Sequence, residues 1–162
     1  YFTLIDNIKK IIPGCAISQD MIAGFPTETE QDHQDTLSLM EYVKYNFGYM
    51  FTYSERPGTL AERKFEDDIP EATKSRRLSE IIALQPKHSE YRTRQFLNTT
   101  VEVLIEKETK KTNQQRTGRT KHKIFFVFPK AHYKVGDFVN VNVTDCTKAT
   151  LIGEAIGLSN NN

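Results

Sequence analysis

The 162 residues are 38% hydrophobic and 27% charged, with 10 Phe and 7 Tyr, enough apolar bulk for one mid-sized domain or two small ones. No apolar run nears the roughly 18 residues of a membrane span, and no charged-then-apolar leader precedes a cleavage site, so neither a membrane protein nor a secreted one is expected. The formal charge of +1 hides a split: residues 1–89 hold 10 Lys/Arg against 14 Asp/Glu (net −4), and residues 90–162 hold 12 against 7 (net +5), an acidic half joined to a basic half, and such asymmetry is a hint of nucleic-acid contact by the basic side.

Phe2, Ile5, Ile8 and Ile12 recur at helical spacing until Pro13-Gly14 stops the pattern. The chain enters this amphipathic element at Tyr1 without a Met, which is expected of a piece of something longer. Ala16–Phe25 is a short run with the flanks of a buried strand, although Asp20 is an unexpected charge within it. Thr27 and Glu30 have the spacing of a capping box, with Glu28, Glu30 and Asp32 supplying negative charge to the first turn of a helix that runs to about Asn46. Gly48–Tyr53 is a second strand, closed by Ser54-Glu55-Arg56-Pro57-Gly58-Thr59.

Helix, strand, helix, strand is the rhythm of a parallel sheet with covering helices. Two strands cannot close such a sheet, so this half reads as the last part of a larger α/β domain; a small free-standing α/β domain is the alternative. Ligands gather at the carboxyl ends of parallel strands, where Gly24–Glu28 and Ser54–Thr59 stand. Arg56 could hold a phosphate or carboxylate bidentately there. Both segments are equally readable as ordinary turns rich in Gly and Pro. From Pro70 a long helix begins, with Leu78, Ile81, Ile82 and Leu84 as its apolar face; Pro86 should kink or end it, leaving His88–Asn98 as a second helical piece.

From Thr100 the period changes to two. Val101, Val103 and Ile105 alternate with Glu102, Leu104 and Glu106; Ile124–Phe128, Phe138–Val143 and Thr150–Gly157 follow. Short strands with turns between them over some 60 residues suggest a small barrel of the oligonucleotide-binding type. Residues 107–123 lie between the first two strands and hold seven Lys/Arg against one acid. Lys107, Lys110, Lys111, Arg116, Arg119, Lys121 and Lys123 are therefore candidate phosphate contacts, the alternative being a plain solvated loop. Phe125, Phe126 and Phe128 are adjacent, and at period two one must face away from the others. An outward ring, with Phe126 named for the role, would stack a base; otherwise all three serve the core.

Cys15 and Cys146 are too few and too far apart for a disulfide scaffold or zinc cage, and a reducing, cytoplasmic setting is expected. His33, His88, His122 and His132 are scattered singly. No nucleophile–base set, phosphate loop or carboxylate pair is legible, so no catalytic residue is assigned.

These residues carry a resemblance. Ala16–Glu30 and Phe51–Thr59, then Asp68-Ile69-Pro70, Arg77-Leu78 and Leu84-Gln85, resemble the late barrel strands and connecting helix of the radical-SAM methylthiotransferases. The basic half resembles a TRAM domain, through Gly118-Arg119-Thr120 and Val135-Gly136-Asp137-Phe138-Val139. The resemblance implies a C-terminal fragment of a TIM-like α/β barrel over 1–69, connecting helices over 70–98, and a five-stranded OB-like TRAM barrel over 99–158. Arg56-Pro57-Gly58-Thr59 is similar to the branch that modifies tRNA, and Gly118-Arg119-Thr120 followed by Val127-Phe128 is similar to those members of it whose activity this resemblance implies: methylthiolation of an isopentenyl-adenosine next to the anticodon. S-adenosylmethionine and two 4Fe–4S clusters would serve the parent, with the cluster thiolates outside this chain and the fragment inactive alone. Asp20, Ile22, Gly24 and Glu28 would lie on the S-adenosylmethionine side, and tRNA would be the partner of a monomeric parent. The other readings are a non-catalytic RNA-binding module and the branch acting on a ribosomal protein. Two departures stand out: the family usually has Gly where Thr27 stands, and Pro86 interrupts a helix that is usually continuous.

Overall fold

The computed structural model describes residues 1–108, 115–129 and 132–159, which form two compact units, Tyr1–His88 and Ser89–Asn162. Among the described residues no helix is long and apolar enough to cross a membrane.

In the first unit α1 (Phe2–Ile11), β1 (Ser18–Ala23), α2 (Glu30–Val43), β2 (Phe47–Thr52) and α3 (Leu60–Lys64) lead into α4 (Glu71–Arg94), which continues into the second unit. β1 and β2 pair in parallel from Ser18↔Phe47 to Ala23↔Thr52. One face of this two-stranded sheet is covered: Ala23 joins Ile5, Met40, Val43, Tyr45 and Ile81 in the core, with Met21 and Met50 packed against them. Because strand side chains alternate, Ser18, Asp20, Ile22, Phe47, Tyr49 and Phe51 stand on the other face, which is exposed.

The start of α2 departs from the sequence reading. Its capping box is Thr29 with Asp32, not Thr27 with Glu30: Asp32 N donates to Thr29 Oγ1 (3.2 Å) and Thr29 N to Asp32 Oδ2 (2.8 Å). The helix cannot begin earlier because Thr27 is left-handed (φ 71°), with its N–H donated to Asp68 Oδ1 at 2.8 Å. A β-branched residue there costs roughly 1–2 kcal/mol, which glycine avoids at the expense of some unfolded-state entropy. Thr27→Gly should therefore raise the unit's stability by about 0.5–1 kcal/mol, read as a higher urea midpoint; a lower midpoint would contradict the strain.

Helix α4 differs in two ways. It runs unbroken through Pro86, and its buried stripe is not the Leu78–Leu84 set, since Ile82 is 46% exposed. Within the first unit, Lys74, Arg77, Ile81, Gln85 and His88, three or four residues apart, are its buried residues. Four of these are polar, and each has its own partner. Lys74 Nζ meets Asp67 and Glu71, Arg77 meets Glu28 and Glu30, Gln85 Nε2 donates to Tyr45 O, and His88 meets Glu41. Pro86 lies on the exposed side, where the carbonyl deprived of an N–H partner meets water, while Gln85 and His88 anchor the helix on either side of it.

Two histidine–glutamate pairs tie α2 to α4: His33 Nε2 to Glu80 Oε2 at 2.7 Å and His88 Nε2 to Glu41 Oε2 at 3.1 Å. The hydrogen bond from His88 holds the Glu41 carboxyl below its ordinary 4.5, and that from His33, with Arg76, does the same for Glu80. Groups with depressed folded values stabilise above the unfolded value and lose that contribution as pH falls through the folded one. The unit should accordingly lose stability as pH drops below about 4.5, and Glu41→Gln with Glu80→Gln should flatten that acid limb in urea titrations followed by circular dichroism. Parallel acid limbs for both proteins would contradict it.

The second unit is a closed barrel of β3 (Thr100–Glu108), β4 (Gln115–Thr120), β5 (Phe125–Pro129), β6 (Phe138–Cys146) and β7 (Thr150–Leu158), in the order β3-β4-β5-β7-β6. All neighbours are antiparallel except β5 and β7, which run parallel. Its interior holds Val103, Ile105, Phe126, Phe128, Val139, Val141, Val143 and Leu151, with Tyr133 alongside. Strand β4 lies in the segment read from sequence as a basic loop. Gln115–Thr120 has no apolar alternation; it is a strand because it pairs on both sides, with β3 and β5. Closure leaves no free sheet edge, consistent with an OB-like barrel.

Candidate nucleic-acid interface

The barrel's register fixes which basic and aromatic side chains share a surface. Leu104, Arg119, Phe125 and Thr150 form one row across β3, β4, β5 and β7, and Lys107, Thr117, Val127 and Ile152 form the next. Between these rows Gly118, Phe126 and Leu151 face inward and are buried. The outer rows are open: Phe125 is 42% and Ile152 37% exposed. Arg119 lays its guanidinium over the Phe125 ring, 4.4 Å from the centroid, with Glu106 Oε2 3.5 Å from its Nε. That ion pair is half exposed and contributes ~0–1 kcal/mol, so its role is to orient the guanidinium. A ring under a planar cation offers a stacking platform and phosphate donors together.

Lys121 and Lys123 stand exposed on the β4–β5 turn. Its shape comes from Thr120, buried, whose Oγ1 accepts from the backbone N–H groups of His122 and Ile124, and whose carbonyl accepts from Lys123 N at 2.9 Å. Lys123 is left-handed there (φ 63°). Lys107, exposed, shares the face with Arg119. Lys110 and Lys111 lie outside the described residues.

Two expectations change. Phe126 is fully buried, edge to face with Phe128 at 6.1 Å, because it pairs with Gly118 and Leu151 in the inward row; the outward ring is Phe125. Arg116 is only 8% exposed, on the inward side of β4 opposite Phe128, so it belongs to the barrel wall and not to the outer face.

In the first unit, the predicted residues fall into two groups. Asp20 and Ile22 are exposed on the free sheet face, in register with Tyr49 and Phe51. Gly24 and Glu28 are committed to the loop itself. Glu28 Oε2 accepts from Gly24 N (2.7 Å) and Phe25 N (3.2 Å), and Glu28 Oε1 accepts from Arg77 Nη1 (3.0 Å). Gly24 has φ 75°, and a Cβ on it would stand 2.3 Å from Lys74 Cγ. Burial opposes the charge on Lys74, but Asp67 and Glu71, at 2.6 and 2.9 Å, outweigh it and raise its pKa. Lys74, absent from the sequence reading, and Arg77, which entered it only through the resemblance, thus hold the strand-end loop in place. Arg56 is exposed in the turn after β2, where its carbonyl accepts from Thr59 Oγ1 at 2.9 Å.

An adenosyl cofactor needs apolar cover for its ring and acceptors for its hydroxyls. Ile22, Tyr49, Phe51 and the Asp20 carboxylate fit that need, whereas the Gly24 N–H and the Glu28 carboxylate are engaged within the loop. Iron–sulfur clusters are held by thiolates. Cys15 and Cys146 lie in separate units and do not make such a set, and among the described residues no group of three His, Cys, Asp or Glu could hold a metal ion.

Comparison with known proteins finds similarity along the whole chain. Residues 94–156 match the TRAM domain family. Over all 162 residues the chain is 70% identical to a protein of Christiangramia forsetii named tRNA-2-methylthio-N(6)-dimethylallyladenosine synthase, covering 34% of that protein. It is 64% identical over the same span to the protein so named in Flavobacterium johnsoniae, again 34% of it, and 49% identical over 154 residues (95% of the chain) to 34% of that in Karelsulcia muelleri. The chain therefore spans about a third of the length of these relatives. Its charge split, its OB-like barrel and its similarity along all 162 residues agree: residues 94–156 match the TRAM domain family, and the chain is similar to a third of the length of proteins named tRNA-2-methylthio-N(6)-dimethylallyladenosine synthase.

Proposed function

We propose that the chain is the tRNA-holding C-terminal part of a tRNA methylthiotransferase. The barrel face of Arg119, Phe125 and Lys107, with Lys121 and Lys123 on the adjoining turn, grips the RNA, phosphates giving affinity and the ring accepting a base. The first unit supplies late βα units of a radical-SAM barrel, with residues 1–69 in that role, 70–98 as connecting helices and 99–158 as the RNA-binding barrel. Its uncovered sheet face then meets the barrel interior, where Asp20 and Ile22 would hold S-adenosylmethionine, the source of the radical and the methyl group. Arg56 and the loop built on Gly24 and Glu28 border the reaction site. The whole protein, a cytoplasmic monomer, would methylthiolate isopentenyl-adenosine beside the anticodon, with its two clusters held outside this chain; the chain alone would be inactive.

The observation that carries this reading is the Arg119–Phe125 platform on the outer face of an OB-ordered barrel. Mass spectrometry of tRNA nucleosides from cells lacking the gene tests it. Loss of methylthio-isopentenyl-adenosine, with isopentenyl-adenosine accumulating, is expected; unaltered methylthio-adenosine excludes the reading.

A further inference from the structure

Phe25 beyond β1, Tyr53 just after β2 and Phe65 at the end of α3 make an aromatic cluster that meets the neighbouring charge network only where Lys74 lies over the Tyr53 ring. Phe25, two residues beyond β1, packs edge to face on Tyr53 (centroids 5.2 Å, 74°) and on Phe65 (6.0 Å, 67°). Tyr53 is 8% exposed and forms the floor, whereas Phe25 and Phe65 are 39% and 40% exposed. Neither belongs to a core cluster of the chain. Such rings stay in water at a cost, and exposed apolar patches are commonly binding surfaces.

The loop that carries Phe25 is rigid by construction. Glu28 satisfies the N–H groups of Gly24 and Phe25, Arg77 fixes Glu28, and Lys74 fills the space beside Gly24. A preorganised ring loses little freedom when it binds. The cluster also has no anion-binding character. Its one cation, Lys74, lies 5.6 Å from the Tyr53 centroid, is 1% exposed, and spends its charge on Asp67 and Glu71. What fits such a surface is an apolar group without hydrogen-bonding atoms, small enough to rest on two rings.

The geometry points to Phe25 and Phe65 as the specificity surface for the branched five-carbon substituent on the substrate adenosine. This rests on the proposed function, which places that base at the carboxyl ends of these strands. Contact with the rings gives binding energy that an unprenylated adenosine lacks, so the cluster selects RNA that already carries the substituent.

The test uses the full-length protein and two anticodon stem–loop RNAs that differ only in the dimethylallyl group, with affinity read by fluorescence anisotropy. Phe25→Ala and Phe65→Ala should each reduce the preference for prenylated RNA about tenfold and leave affinity for the unprenylated RNA unchanged. Phe65→Gln, which keeps bulk but not an apolar face, should behave like Phe65→Ala, and Phe65→Leu should retain the preference; the pair decides the matter if Phe25→Ala fails to fold. Preference unaltered in the variants, or both affinities falling in step, overturns the proposal while leaving the proposed function standing. A wild-type protein with no preference overturns both.

Discussion

Gly118→Ala is expected to unfold the barrel at temperatures where the parent chain is fully folded. A Cβ at this position would stand 2.1 Å from Leu104 O, 2.9 Å from Leu104 C and 2.7 Å from Val103 Cγ1. The first two are backbone atoms of β3, so no rotamer change relieves the clash; the β3–β4 ladder would have to part. Overpacking of this kind costs about 3 kcal/mol or more, a large share of the ~5–15 kcal/mol that holds a domain together. Gly157→Ala is the control. That position is also a strand glycine, yet a Cβ there meets nothing within 4 Å, so its melting temperature should stay close to the parent's. If Gly118→Ala melts with Gly157→Ala, the close approach of β3 and β4 is not what holds glycine at position 118.

Phe125→Ala and Phe126→Ala should fail in opposite ways. Phe125 lies on the outer face under Arg119, so its loss should weaken RNA binding ~10–100-fold, the value of one stacked base, with little change in melting temperature. Phe126 is wholly enclosed, so its loss should cost ~3–5 kcal/mol of stability. Arg119→Ala should weaken binding to all RNAs alike and lower the salt slope by about one phosphate contact. Gel-shift affinities and thermal melts on the same samples separate the cases. Equal RNA affinity in Phe125→Ala and the parent would place the interface on another face.

How far the sequence could be read depended on where its residues point. The period-two runs 101–106 and 138–143 gave β3 and β6 directly, because their apolar residues fill one side of the barrel. Strand β4 was hidden: Gln115–Thr120 owes its conformation to neighbours on both sides, and pairing leaves no mark in a polar segment. The error at Phe126 was avoidable, since Phe126 and Phe128 share a face and Phe125 stands alone on the other, as an outward residue would. On α4 the difficulty was deeper. Lys74, Arg77, Gln85 and His88 are polar and lie outside the apolar set Leu78, Ile81, Ile82 and Leu84, yet each is buried against a partner 3 to 49 residues away in the chain, and such partnerships are invisible to periodicity. The aromatic meeting of Phe25 and Phe65 escaped for the same reason, being made by the loop after β1 and the end of α3.

If the chain holds RNA through the outer face of its barrel, as proposed, its affinity for tRNA measured across ~50–200 mM salt will report the phosphate contacts directly. With Arg119, Lys107, Lys121 and Lys123 each engaging a phosphate, the plot of log affinity against log salt should fall with a slope of about −3. Absence of binding at the lowest salt, or an affinity indifferent to salt, would contradict the claim.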